Sequence, residues 1–255
     1  MSERGWSDLH RRWARSRVPL RPHALVVAKI EELLYQRPGP RLLLGVTPEL
    51  AALSPATVAI DWSAAMIAQV WPGNSVTRCA VRADWADMPF ADGVFAAAMG
   101  DGPLNMTRWP GDYARIAERL RAVIRPGGRM VLRCFVSPDG KDRPEDVAAQ
   151  VWSGAPMGFH AFKWRLAMAA MEGDSIPMRR LWETFERLFP DRARLAAATG
   201  WARETIDEMD DYAVSPLQKS FPTRRQLLES FPQGRIVETE GYEMADRCPL
   251  LVVDL

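Results

Sequence analysis

The chain carries two apolar runs so placed that few folds can hold both. Arg41-Leu42-Leu43-Leu44 closes at Gly45, and Val58-Ala59-Ile60 ends in Asp61, sixteen positions beyond that glycine. Between them Thr47-Pro48-Glu49-Leu50 reads as a helix start, with Thr47 able to cap the first turn and proline suited to the first helical position. Strand, tight turn, helix, strand and a terminal acid is an arrangement that receives a nucleoside. The turn faces the charged tail, and the carboxylate takes the ribose hydroxyls. The phosphate-binding version of that turn needs three glycines, and this one has only Gly45.

Strands and helices continue to alternate after this unit. Apolar runs predict strands at 41–44, 58–61, 79–83, 94–99 and 129–136, with helices at 48–53, 63–70 and 113–124 between them. A helix at 24–34 precedes the first strand and is stopped by Pro38-Gly39-Pro40. The N-terminal 1–37 reads as amphipathic helices, with Trp6, His10 and Trp13 on one face. The rhythm breaks over 137–232, which offers no clear strand and reads as helices at 145–151, 159–172, 178–189, 191–198, 202–209 and 224–230. Two further strands, 234–240 and 250–254, are expected to pair antiparallel at the sheet edge. The expected architecture is α/β: a single domain over 1–255 with a doubly wound, mostly parallel seven-stranded sheet. The segment 137–232 would form a helical cap inserted between strands five and six.

Composition narrows the function. A net charge of +1 lacks the basic excess of a nucleic-acid binder. Cys79, Cys134 and Cys248 lie far apart, which suits reduced thiols and offers no zinc-type spacing, so no metal is expected. No apolar run reaches the roughly 20 residues of a membrane span, and no apolar signal core opens the chain. A cytoplasmic protein that binds neither membrane nor nucleic acid is expected.

Several blocks in order resemble the class I S-adenosylmethionine-dependent methyltransferases. They are Arg41-Leu42-Leu43-Leu44-Gly45, Asp61-Trp62-Ser63-Ala64-Ala65-Met66, Ala83-Asp84-Trp85-Ala86-Asp87-Met88-Pro89-Phe90, Phe95-Ala96-Ala97-Ala98-Met99 and Arg125-Pro126-Gly127-Gly128-Arg129-Met130-Val131-Leu132. The resemblance covers about 40–136 and 234–255, and it implies a Rossmann-like methyltransferase fold with S-adenosylmethionine as cofactor and S-adenosylhomocysteine as product. Two positions depart from it. The family's Gly-x-Gly-x-Gly turn is here Gly45-Val46-Thr47-Pro48-Glu49, with Leu43 where an acid is usual, and Ala96 replaces a usual aspartate.

The resemblance also implies a site. Asp61 would accept from both ribose hydroxyls, or else serve the N-terminus of the next helix. Trp62 and Met66 would sandwich adenine, or else pack the core. Asp84 would accept from the adenine amino group while the Trp85 backbone N–H bonds the ring; the alternative for Asp84 is an ordinary turn. The backbone at Gly45, Val46 and Thr47 would pass the methionine moiety, with the following helix start favouring its carboxylate. Glu49 would either complement that helix or hold the ammonium. Gly100-Asp101-Gly102-Pro103 after strand four allows close approach of a ligand, or makes a tight turn.

The insert carries Trp152, Met157, Phe159, Phe162, Trp164, Met168, Met171, Met178 and Trp182. That set suits a partly apolar small-molecule substrate, or simply the cores of amphipathic helices. The fold does not fix the residue that deprotonates a substrate; candidates are His160, Tyr113, Asp101 and, more remotely, His10. Three readings follow: methyl transfer to a small metabolite, a non-catalytic regulatory or interaction module of the same fold, and a nucleotide-dependent oxidoreductase. The last lacks its Gly-x-Gly-x-x-Gly fingerprint.

Overall fold

The computed structural model describes Trp13 and residues 16–54, 56–140 and 142–255. The expected N-terminal face therefore falls, apart from Trp13, outside the described residues. Helix α1 (Ala24–Leu34) turns Val26, Ile30 and Leu34 inward. Strand β1 (Arg41–Leu44) follows, then α2 (Pro48–Ala51), β2 (Thr57–Asp61), α3 (Ala64–Gln69), β3 (Arg78–Arg82) and β4 (Phe95–Asp101). Helix α4 (Gly111–Val123) leads into β5 (Ile124–Arg133).

Next come α5 (Pro144–Trp152), α6 (Phe159–Ala170), β6 (Ile176–Pro177), α7 (Met178–Leu188), α8 (Arg192–Thr199), α9 (Arg203–Asp207), β7 (Gln218–Lys219) and α10 (Arg224–Ser230). Strands β8 (Gly234–Val237) and β9 (Leu250–Asp254) end the chain.

Among the described residues the main sheet has seven strands in the order β3-β2-β1-β4-β5-β9-β8. Strands β1 to β5 pair in parallel, whereas β9 runs antiparallel to both β5 and β8. The order reverses at β1 and β4, so the crevice at their carboxyl ends is where an open α/β sheet receives ligands. Alternation along β1 fixes the two faces. Leu42 and Leu44 pack with Tyr113, Ile116 and Leu120 of α4, while Leu43 packs with Val26 and Ile30 of α1. Leu43, at the position where the resemblance leads one to expect an acid, is wholly buried in that second layer.

The region 137–232 departs from expectation in one respect: β6 and β7 form a small antiparallel sheet. Each contributes two residues, too short for a period-two signal. The helices α5 to α9 build a core of their own around Phe162, Phe185 and Phe189, whose rings meet edge to face or stacked. Phe159, Met168 and Met178 are buried in the same core, so these members of the apolar set serve packing. Asn105 clips this region to the sheet. Its Nδ2 donates to the Phe135 and Ser220 carbonyls at 2.7 Å each, and its Oδ1 accepts from Phe135 N at 2.9 Å.

Candidate functional site at the carboxyl edge of the sheet

A cavity lies where β1, β2 and β4 end. One wall holds Gly45, Val46, Thr47, Asp61, Met66 and Trp85; Asp101, Gly102, Pro103, Asn105 and Met106 follow β4. The opposite wall comes from the helical region and carries Lys163, Trp164, Glu208, Tyr212, Lys219 and Phe221, with Phe135 between the two. Trp13, Ser16 and Leu20 close it from the N-terminal side. The enclosed volume is about 130 Å³, below the roughly 300–1,000 Å³ of small-molecule sites. A nucleoside-sized ligand therefore requires side chains of the lining, such as Trp13 and Leu20, to move outward. A larger groove of about 740 Å³ lies elsewhere, lined by Arg143, Glu145, Arg180 and Glu183, and is an open surface of largely paired charges.

Gly45 sits at φ 91°, a conformation that favours glycine. Its N–H donates to the Ile60 carbonyl at 2.8 Å, which ties the turn to β2 and sets it beside Asp61. A Cβ on Gly45 would stand 4.0 Å from Asp61 Oδ2. Asp61 is buried, and its Oδ1 accepts from the Ser63 N–H at 2.8 Å. Ser63 itself caps α3, accepting from Met66 N, so the capping role weighed for Asp61 belongs to the serine. Burial pushes the Asp61 carboxyl up to about 7, against the Ser63 bond that lowers it. Among the described residues Oδ2 accepts no hydrogen bond, so a diol could reach it.

Other expected positions lie elsewhere. Asp84 is exposed and accepts from Ala86 N at 2.8 Å, the turn contact that competed with adenine recognition. Trp62 is outside the cavity lining; it packs against the α1 layer, and its carbonyl accepts from Arg82. Trp85 does line the cavity, but through its indole, whose Nε1 donates to the Ile60 carbonyl at 2.8 Å. Gly100 is absent from the lining because Pro103, Leu132 and Leu44 crowd it; a Cβ would meet Pro103 at 2.9 Å. Thr47 makes no side-chain cap bond and lines the cavity instead. Helix α2 is a single turn, too short to sum a dipole that fixes a carboxylate. Glu49 receives Arg21 Nε at 2.7 Å, which occupies it outside the cavity.

The candidate bases also separate. Tyr113 is fully buried beneath the sheet, bonded to Ser220 Oγ at 2.8 Å, and burial pushes its hydroxyl pKa up. His160 borders a different cavity, with Glu243, Glu204 and Trp201. Asp101 does reach the site, but Arg133, itself without exposure, binds its carboxylate and also donates to the Pro19 carbonyl at 2.7 Å. Burial raises the Asp101 pKa and the guanidinium opposes it. This pair braces β4, β5 and the N-terminal cover. His10 lies outside the described residues.

Sequence reasoning missed Lys163, Lys219, Glu208 and Tyr212. One signal was available for Lys163: a lysine inside Phe159-His160-Ala161-Phe162-Lys163-Trp164, a stretch apolar on every face. Of the apolar set singled out from the insert, Trp164 alone lines this cavity. Among the described residues no group of three or more His, Cys, Asp or Glu could hold a metal ion, and no helix is long and apolar enough to cross a membrane.

Solved structures of this architecture include an S-adenosylmethionine-dependent methyltransferase from Methanosarcina mazei, with TM-score 0.51 and 15% identity over 88% of this chain and 94% of that one. Another is from Mesorhizobium loti, with TM-score 0.50 and 16% identity over 90% and 96%. The fold is that of the class I methyltransferases. A structure from Rhodobacter sphaeroides described as a zinc-dependent alcohol dehydrogenase also superposes, at TM-score 0.59 and 13% identity over the whole of both chains; at such identity the likeness is one of fold. No family model matches the sequence. Two demethylmenaquinone methyltransferases are similar in sequence. That of Mycobacterium marinum is 36% identical over 93 residues, 36% of this chain and 37% of its own. That of Mycolicibacterium vanbaalenii is 31% identical over 160 residues, 61% of this chain and 63% of its own. The chain thus spans less than two thirds of the length of these relatives.

Proposed function

We propose that this methyltransferase-fold protein binds S-adenosylmethionine at the carboxyl edge of its sheet and transfers the methyl group to a small, partly apolar metabolite, releasing S-adenosylhomocysteine. The observation that carries the reading is the buried Asp61 carboxylate, held beside the Gly45 turn with an acceptor oxygen open to a diol. Ribose hydroxyls donating to it would supply the partners that a buried charge needs. Met66 and Trp85 would flank the base, and the Gly45–Thr47 backbone would carry the methionine end. The cofactor supplies a methyl group on a sulfonium, electrophilic enough that the protein's tasks are orientation and exclusion of water. The cover formed by Trp13, Ser16 and Leu20 suits the second task. The name shared by the two mycobacterial relatives points to a ring compound of the quinone type as acceptor, and the aromatic wall of the cavity is compatible with it.

The small enclosed volume favours one competing reading, a protein of this fold that binds no cofactor and acts as an interaction module. Isothermal titration with S-adenosylmethionine, S-adenosylhomocysteine and NAD separates the readings. Binding of the first two and not of NAD is the expected result. Binding of NAD alone would move the protein to the oxidoreductases, and silence with all three would leave the interaction module.

A further inference from the structure

We infer that the methyl acceptor is an aromatic molecule bearing an ionised oxygen, recognised by the ammonium of Lys163 against the ring of Trp164. The inference rests on the methyl-transfer reading and adds the acceptor's charge and shape. Every residue of α6 from Phe159 to Ala170 is buried except Arg165, and Lys163 is only 2% exposed. Lysine is almost never so enclosed without a partner of opposite charge. Among the described residues Lys163 makes no ion pair. Its Nζ stands instead 5.5 Å from the Trp164 ring centre, 5.6 Å from Tyr212 and 5.7 Å from Phe159, within cation–π reach of all three. Lys219 Nζ lies 5.0 Å from the same Trp164 ring, so two cations converge on one indole at the cavity wall.

Among the described residues none of the carboxylates lining this cavity forms an ion pair with Lys163. Asp101 is bound by Arg133, Asp61 belongs to the sheet wall, and Glu208 on the helical side has a contact of its own. A cationic acceptor would be repelled by the Lys163 ammonium. A neutral one would cover the Lys163 ammonium and leave it without water or a counter-charge, a costly desolvation. An anionic oxygen satisfies the ammonium, and a flat ring fits between Trp164, Tyr212, Phe135 and Phe221 better than a branched aliphatic chain. Ionisation also suits the transfer itself, because an oxygen already stripped of its proton needs no base, and none of the candidate bases stands free at the site.

The probes are 1-naphthoate, its neutral isostere 1-naphthamide, and the non-aromatic anion cyclohexanecarboxylate, titrated calorimetrically into protein with and without saturating S-adenosylhomocysteine. The expected order places 1-naphthoate at least about tenfold tighter than either control, which corresponds to 1.4 kcal/mol. Lys163→Met should erase the preference over the amide, Lys163→Arg should keep most of it, and both should bind S-adenosylhomocysteine as the parent does. Equal affinities for naphthoate and naphthamide, no naphthoate binding at millimolar concentration, or a preference that survives Lys163→Met would each overturn the inference. The wild-type comparison stands even if a variant fails to fold. Loss of S-adenosylhomocysteine binding would instead strike the methyl-transfer reading, so the two failures are distinguishable.

Discussion

Replacing Asp61 by asparagine should stabilise the unliganded protein at alkaline pH while weakening its hold on a nucleoside. The carboxyl has an ordinary value of 3.8 and is pushed to about 7 in the fold, with burial the larger cause and the Ser63 N–H opposing it. Between those values the folded state keeps a proton that the unfolded chain has lost. The stability this group contributes is therefore complete below about pH 4 and is lost as pH rises through 7. The gap is worth about 4 kcal/mol. Asparagine keeps an oxygen for the Ser63 N–H and removes the charge. Urea unfolding should show Asp61→Asn more stable than the parent by about 2–4 kcal/mol at pH 8, with the difference vanishing near pH 4. Binding should move the other way. The ribose needs the ionised form, so affinity of the parent for S-adenosylhomocysteine should fall about tenfold for each pH unit below 7. The variant should bind with no such pH dependence, and at pH 8 at least about thirtyfold more weakly, for the loss of about 2 kcal/mol of charge-assisted hydrogen bonding. A stability difference that does not change with pH would refute the burial argument. Unchanged affinity in Asp61→Asn would refute the placement of the ribose.

Arg133→Met leaves Asp101 buried and unpaired, and should cost about 3–5 kcal/mol in urea unfolding, with much of that recovered in a double variant that also carries Asp101→Leu. Asp84→Ala removes one exposed turn contact, so S-adenosylhomocysteine affinity should change less than about twofold and stability less than about 1 kcal/mol. A tenfold loss of affinity there would restore Asp84 to the site. Tyr113→Phe deletes the bond to Ser220 and should cost about 1 kcal/mol, with no change in the pH dependence of turnover that a lost base would produce. Trp85→Phe opens part of the cavity wall and removes one of the two donors to the Ile60 carbonyl; calorimetry should show weaker cofactor binding together with a fall in melting temperature.

The two sides of the sheet edge differ in how they are encoded. The mostly parallel seven-stranded sheet was readable from local pattern, because apolar runs separated by helices imply right-handed crossovers, while the order of its strands came from the structure. The tight turn at Gly45 was readable too, because it depends on a few adjacent residues, whereas the cap of α3 was weighed for Asp61 and falls to Ser63. Asp84 and Gly100 were ambiguous for the same reason. A turn aspartate bonding two residues ahead looks, in sequence, like one that meets a ligand, and a glycine crowded by Pro103 looks like one crowded by a cofactor.

What the chain determined alone was the mostly parallel sheet and the acid that ends β2, since these depend on spacing and hydrophobic alternation. What only the tertiary structure decided was the opposite wall. Lys163 precedes Tyr212 and Lys219 by dozens of positions and meets them because α6, the turn after α9 and β7 fold back over the same crevice. The same long-range packing joined Arg133 to Asp101 and to the Pro19 carbonyl, and buried Tyr113 beneath the sheet. Charge and cover at the site arise from contacts between distant segments, and such contacts leave no periodicity in the sequence.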